Sequence, residues 1–225
     1  MGAAVKLERI YGGFDGLNLT WETLEGIVKH KGPLGGRGTP VPEPILDYCE
    51  THDLGLNSFA SVEAQIAALA DDIAYNAHDI DDGYRGGCFS FSDLAGIPLA
   101  GRHLDELDAT YRDLEPARRL YELKRRLITA MVNDVLEETL KRLEQLPSQS
   151  ADGARAANGA MVAFSGAMRA ELDQLRKFLF GRVYRHPRVM RIMGDAEDIV
   201  VELFDLYARD PGALPPEWRE EARGG

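Results

Sequence analysis

One stretch constrains this chain more than any other: Ser61 to Gly87, SVEAQIAALADDIAYNAHDIDDGYRGG. Its periodicity predicts a single amphipathic helix with two faces of different character. At 100° per residue, Val62, Ile66, Leu69, Ile73 and Ile80 fall on one side, while Asp71, Tyr75, His78, Asp79 and Asp82 fall on the other. Residues 71, 75 and 79 follow an i, i+4, i+8 spacing and form a column along successive turns. A carboxylate, a phenol and a second carboxylate in one column can bind a metal or a sugar hydroxyl. The same pattern also describes a solvated acidic face on a helix that packs by its other side. Spacing alone leaves both readings open.

The rest of the chain reads as helical. Thr20 to His30 is a short helix with Thr20 as N-cap and Glu22 in the first turn. Lys31 to Pro44 holds four glycines and four prolines and reads as a loop. Ser61 caps the acidic-face helix, and Gly86-Gly87 ends it. Ser92 to Ala95 starts a short helix that Gly96 and Pro98 break. Pro116 to Leu146 is a long helix with a stripe of Leu120, Leu123, Leu127, Met131, Val135 and Leu143. Pro147 to Asn158 is a polar connector. A helix from Ser165 or Met168 to Tyr184 is interrupted by His186-Pro187. A further helix runs from Arg188 to Ala208, with Ile192, Ile199, Val200, Leu203 and Phe204 expected to be buried. Pro211, Pro215 and Pro216 close the helical part. No strand pattern or internal repeat is visible, so the expected fold class is all-α, a helical bundle.

Composition narrows the function. With 225 residues and 44% hydrophobic content, the chain is long enough and apolar enough for a packed domain. No apolar run reaches membrane-spanning length, and the N-terminus lacks a signal-peptide core, so a cytoplasmic protein without membrane contact is expected. Cys49 and Cys88 make neither a disulfide framework nor a zinc site. A net charge of −11 argues against nonspecific nucleic-acid binding. Basic clusters at Arg118, Arg119, Lys124, Arg125 and Arg126, and at Arg176, Lys177, Arg182, Arg185, Arg188 and Arg191, fit solvated helix faces, a nucleotide-binding pocket or an oligomer seam.

ADDIAYNAHDIDDG, with EAQIAALA before it, resembles the helix that carries the last metal-binding aspartate of bacterial dGTP triphosphohydrolases of the HD-domain superfamily. FDGLNLTWETLEGIVKHKGPL (Phe14 to Leu34), KFLFGRVYRHPRV (Lys177 to Val189) and DPGALPPEWRE (Asp210 to Glu220) resemble further segments of that family, in the same order. The resemblance implies metal-dependent hydrolysis of a dNTP, with dGTP the expected substrate, to a deoxynucleoside and triphosphate. It implies Mg²⁺ or Mn²⁺ as cofactor, a homo-oligomer, and nucleic acid as at most a regulator. By resemblance Asp71 is the metal ligand, Tyr75 and Asp79 contact the deoxyribose, and Lys29 holds phosphate. Lys29 also fits a surface lysine favoured by a helix C-terminus. Asp72 is set aside because it points about 100° away from the column through Tyr75 and Asp79.

An HD site takes ligands in the order His, His-Asp, Asp. Before the FDGLNLTWE-like segment stands only MGAAVKLERIYGG, which has no histidine and one acidic residue, Glu8. The expectation is a C-terminal portion of the family fold, incomplete at the N-terminus. Residues 1–115 would be the remnant of the catalytic domain and 116–225 a C-terminal helical region. No catalytic set is complete, so metal binding is expected to be weak or absent and the chain inactive alone. The alternative is a non-catalytic homologue serving as an oligomerisation or nucleotide-sensing module. His30, His52-Asp53 and Asp71 satisfy the ligand order formally. However, His52-Asp53 follows a loop-like stretch, and only 17 residues separate Asp53 from Asp71. His78-Asp79 lacks upstream partners. Arg185 and His186 are read as a helix cap, and Asp82–Arg85 as an intrahelical pair.

Overall fold

The structure, a computed structural model, describes residues 2–35, 40–216 and 218–219. Residues 36–39 of the expected loop, and Glu217 and Glu220 of the C-terminal motif, lie outside the described residues. The described residues form α-helices with no strand: α1 (Trp21–Val28), α2 (Glu43–Thr51), α3 (Val62–Arg85), α4 (Phe91–Ala95), α5 (Pro98–Thr110), α6 (Pro116–Glu144), α7 (Ala151–Arg155), α8 (Gly166–Leu179) and α9 (Pro187–Arg209). A π-helical segment, Phe180–Tyr184, extends α8. Among the described residues no helix is long and apolar enough to cross a membrane.

Local chemistry sets the ends of the helices. The Ser61 hydroxyl accepts from the Ala64 amide and starts α3, and Gly86 ends it. Thr20 and Ser165 cap α1 and α8 in the same way. Ser90 and Asp93 form a reciprocal capping box on α4. The bundle core lies between α3, α5, α6 and α8. Leu120, Leu123 and Leu127 of α6 are fully buried against Ile73 and Ile80 of α3, Leu104 and Leu107 of α5, and Leu172 and Leu175 of α8. Lys124 of α6 reaches Asp81 of α3 at 3.2 Å, while Leu143 and Val62 line one hollow at the other end, so α3 and α6 run antiparallel. Arg102 donates to both oxygens of Glu171 at 2.7 and 3.0 Å, tying α5 to α8. That bond holds the Glu171 carboxyl below its ordinary pKa despite partial burial. A smaller cluster of Leu24, Val28 and Leu54 holds α1 and the segment after α2 apart from the main core.

Several sequence expectations change here. The short helix α4 ends at Ala95, before Gly96 and Pro98, as expected, but Pro98 also opens a further helix, α5, in whose first turn its missing N–H costs nothing. Glu43-Pro44 likewise opens α2, so the loop ends two residues earlier than expected. The connector 147–158 contains one turn of helix, α7, with Ala154 buried. Ile66 shares the azimuth of Ile73 but is 49% exposed. The largest correction concerns α9. Ile192, Ile199, Val200, Leu203 and Phe204 are all exposed, Phe204 at 73%, and α9 has no buried residue. The helix packs chiefly on the 180–184 segment and the turn at Pro211–Ala213, so the apolar stripe exists but the described residues do not cover it. Arg85 pairs with Asp81 at 2.9 Å, one turn back, rather than with Asp82.

Close packing at α5 gives a direct expectation. A Cβ on Gly101 would collide with the backbone carbonyl of Ala95, which cannot move as a side chain would. Gly101→Ala should destabilise the protein by about 1–3 kcal/mol, measured by urea unfolding. An unchanged midpoint would contradict the α4–α5 packing.

Candidate functional site

Helix α3 presents its polar face beside the C-terminal end of α8. Asp72, Tyr75, Asn76 and Asp79 of α3, Arg176 of α8, Tyr184 of the π segment and Lys31 line an open cleft of about 500 Å³. Tyr75 stands 62% exposed on its wall. Asn76 is buried; its amide donates to the Asp72 carbonyl at 2.7 Å and its oxygen accepts from Arg176 Nε at 3.3 Å. Asp72 lies 3.3 Å from Lys31 Nζ and 3.6 Å from an Arg176 nitrogen, so its charge is balanced from two sides. Asp79 Oδ2 accepts a short hydrogen bond from the Tyr184 hydroxyl. That bond to Asp79, helped by partial burial, pushes the Tyr184 phenol up to about 12. Tyr184 therefore remains a protonated donor at neutral pH.

Asp71 lies on the same stripe, with its Oδ2 3.5 Å from His30 Nε2 and both side chains partly exposed. Asp71, Tyr75 and Asp79 thus share one face of one helix, as the spacing predicts. His52 and Asp53 do not join them. His52 caps the end of α2 and stacks on Tyr48, while Asp53 accepts from the Gly55 amide in a tight local turn. His78 is exposed. Among the described residues no group of three or more His, Cys, Asp or Glu side chains converges. A divalent ion held by protein generally needs at least three such ligands. Asp71 and His30 are two, so the residues described do not by themselves fit a metal centre.

Lys29 is not a surface lysine. It is 2% exposed at the C-cap of α1 and donates to Glu25 Oε1 at 2.9 Å and Ser58 Oγ at 3.0 Å. Glu25 is fully buried and also accepts from Arg155 of α7, at 3.1 Å from Nε. Lys29 borders a second hollow, of about 240 Å³, which shares Lys31 and Asp72 with the main cleft.

The basic clusters are largely compensated. Arg118, Arg119, Lys124, Arg125 and Arg126 each face a carboxylate, and Arg182 pairs with Asp93. Arg185 stacks on Phe180, and His186 caps α9 as expected. Both cysteines are free. Sequence reasoning missed four members of the cleft. Arg176 stood only in a cluster, Tyr184 went unremarked within VYRHPRV, and Asn76 and Lys31 carried no signal of their own.

Comparison with known proteins places the chain beside named relatives. Residues 162–225 match the family described as phosphohydrolase-associated domain. Deoxyguanosinetriphosphate triphosphohydrolase-like protein 1 of Mesorhizobium japonicum is 50% identical over 220 residues, covering 96% of this chain and 54% of that protein. A like-named protein of Rhizobium leguminosarum bv. trifolii is 52% identical over 212 residues, covering 92% of this chain and 52% of its own length. One from Brucella ovis is 50% identical over 219 residues, covering 95% and 54%. The chain spans about half the length of these curated relatives. Over that span it is a homologue of the deoxyguanosinetriphosphate triphosphohydrolase-like proteins, and its residues 162–225 match the phosphohydrolase-associated domain.

Proposed function

We propose that this chain supplies the deoxynucleotide-binding half of a dNTP triphosphohydrolase, the reaction being hydrolysis of a dNTP, with dGTP favoured, to a deoxynucleoside and triphosphate. The observation that carries this reading is the cleft on α3. Tyr75 and Asp79 stand one turn apart with Arg176 and Lys31 beside them, within a sequence about 50% identical to proteins named for that activity. An exposed phenol offers a flat face to a sugar, and a carboxylate accepts from a sugar hydroxyl. The two cations offer charge to phosphate. Lys29, read by resemblance as a phosphate ligand, would have to leave Glu25 or Ser58 to serve as one.

In this reading Asp71 contributes one ligand to a Mg²⁺ or Mn²⁺ ion, and the other ligands that the resemblance calls for have no counterpart among the described residues. Such an ion would neutralise phosphate charge and acidify a bound water. Residues 1–115 form the catalytic remnant and 116–225 the C-terminal helical region, which adds Arg176 and Tyr184 to the cleft. The setting is the cytoplasm. A homo-oligomer would give the α9 stripe a cover, since exposed apolar surface of this kind favours association.

The test is an assay of residues 1–225 with dGTP and Mn²⁺. No triphosphate above background is expected, together with weak Mn²⁺ binding by calorimetry, because two ligands do not fix the ion. Robust release of triphosphate would overturn the assignment of an incomplete site. The second reading, a non-catalytic association or nucleotide-sensing module, is favoured by the uncovered α9 stripe. It requires nucleotide binding without turnover even when a relative supplies the missing ligands.

A further inference from the structure

We propose that Tyr184 is the positioning residue for Asp79: its phenol holds one carboxylate oxygen so that the other faces the sugar hydroxyl of a deoxynucleotide in the cleft. This rests on the reading of Tyr75 and Asp79 as the sugar-contacting pair.

Two independent features of the structure support it. The first is the bond itself. Tyr184 donates to Oδ2 of Asp79, 105 residues away in sequence, and Oδ1 carries no hydrogen bond among the described residues. A carboxylate rotates about its Cβ–Cγ bond, and fixing one oxygen sets the direction of the other.

The second feature is the backbone that delivers Tyr184. Leu179 is buried in the bundle. Had α8 continued as an α-helix, residue 184 would lie about 140° around from Leu179, away from α3. Instead Phe180–Tyr184 winds as a π-helix, with the Arg185 amide bonded to the Phe180 carbonyl at 3.0 Å. Five-residue bonding brings position 184 back toward the azimuth of Leu179, and so over α3. Single π turns are uncommon and concentrate at functional sites. A tie between two helices needs no such rewinding, since α3 and α8 are already joined through Asn76 and Arg176.

The neighbours of the phenol are Asp79, Tyr75 and the Phe180 ring, with Lys31 and Arg176 on the cleft wall. The raised phenol pKa agrees with a proton held in the Tyr184–Asp79 bond.

Calorimetric titration of residues 1–225 with dGTP and with its 2′,3′-dideoxy analogue, which lacks the 3′-hydroxyl, tests the proposal. Tyr184→Phe should weaken dGTP binding by about 3- to 10-fold and leave the dideoxy analogue unchanged. In an Asp79→Ala background the same substitution should change nothing further, because the two residues act through one contact. Equal losses for both nucleotides, an unaffected dGTP affinity, or a persistent effect in Asp79→Ala would overturn it. Absent or equal binding of the two nucleotides by the unsubstituted chain would instead overturn the sugar reading, and the positioning role with it. Ultraviolet titration separates the contact from its use. One of the eight tyrosines should ionise near pH 12, and this late step should vanish in Tyr184→Phe and return to the ordinary range in Asp79→Ala.

Discussion

Replacing Glu25 with Gln should destabilise the α1 region by about 3–5 kcal/mol. Glu25 is wholly enclosed, and its carboxylate is the acceptor for two cations, Lys29 at 2.9 Å and Arg155 at 3.1 Å. A neutral amide keeps the shape but removes the charge. The Lys29 ammonium, itself 2% exposed, is then left in a low-dielectric setting with Ser58 and the amide oxygen as its acceptors among the described residues. Arg155 suffers less, because it still faces Asp152 at 3.2 Å and the Trp21 ring. The loss should be regional. Leu24, Val28 and Leu54 form a cluster separate from the main core, so α1 can open while α3, α5, α6 and α8 stay packed. Hydrogen exchange should therefore show the amides of Leu24 and Val28 losing protection and those of Leu123 and Leu127 keeping it. Adding Lys29→Met should recover most of the loss, since of the three charges only Arg155 then remains, and it keeps Asp152. A change below about 1 kcal/mol in Glu25→Gln would mean that the pair is more hydrated than its burial implies.

The same residues show what a sequence can and cannot reveal. The ends of α3 were legible because caps are local: Ser61 and its Ala64 partner lie three residues apart, and Gly86 follows the last turn. The stripe of Asp71, Tyr75 and Asp79 was legible because helical periodicity is local as well. The environment of Lys29 was not. Its character depends on Arg155, which lies 130 residues beyond Glu25 and enters through a one-turn helix in a segment that read as connector. Gly96 and Pro98 marked the end of α4 correctly, but the start of α5 at Pro98 was not legible, because composition does not say whether a proline only follows one helix or also opens the next. The α9 pattern showed correctly which face is apolar. Amphipathicity does not state what covers that face, and among the described residues nothing does. Tyr184 escaped because a 3.6-residue period places it away from α3, and only the π winding returns it. The sequence thus spoke for each helix alone and was silent where two distant segments meet.

The second large effect separates two adjacent carboxylates. In a chimaera that joins this chain to the part of a relative outside the matched span, the proposed role of Asp71 predicts that Asp71→Ala lowers turnover of dGTP by at least about 10³-fold, roughly 4 kcal/mol of transition-state stabilisation. Asp72→Ala should cost far less. The geometry gives the reason. Asp72 is engaged by Lys31 and Arg176, so its charge is already spent within the protein, and its removal leaves two partly exposed cations that water can serve. Among the described residues Asp71 faces only His30, at 3.5 Å, and both groups are partly open to solvent. A carboxylate and an imidazole without a stronger partner remain free to turn toward an ion. Removing Asp72 should instead raise KM, because Arg176 and Lys31 lose the residue that orients them at the cleft wall. Mn²⁺ titration divides the cases further: Asp71→Ala should lose the ion, and Asp72→Ala should retain it. If Asp72→Ala proved the inactive variant, the metal column would have to run one residue out of phase with Tyr75 and Asp79. Those two would then no longer share a face with the ion, and the assignment of the sugar-contacting pair would fall together with that of the metal ligand.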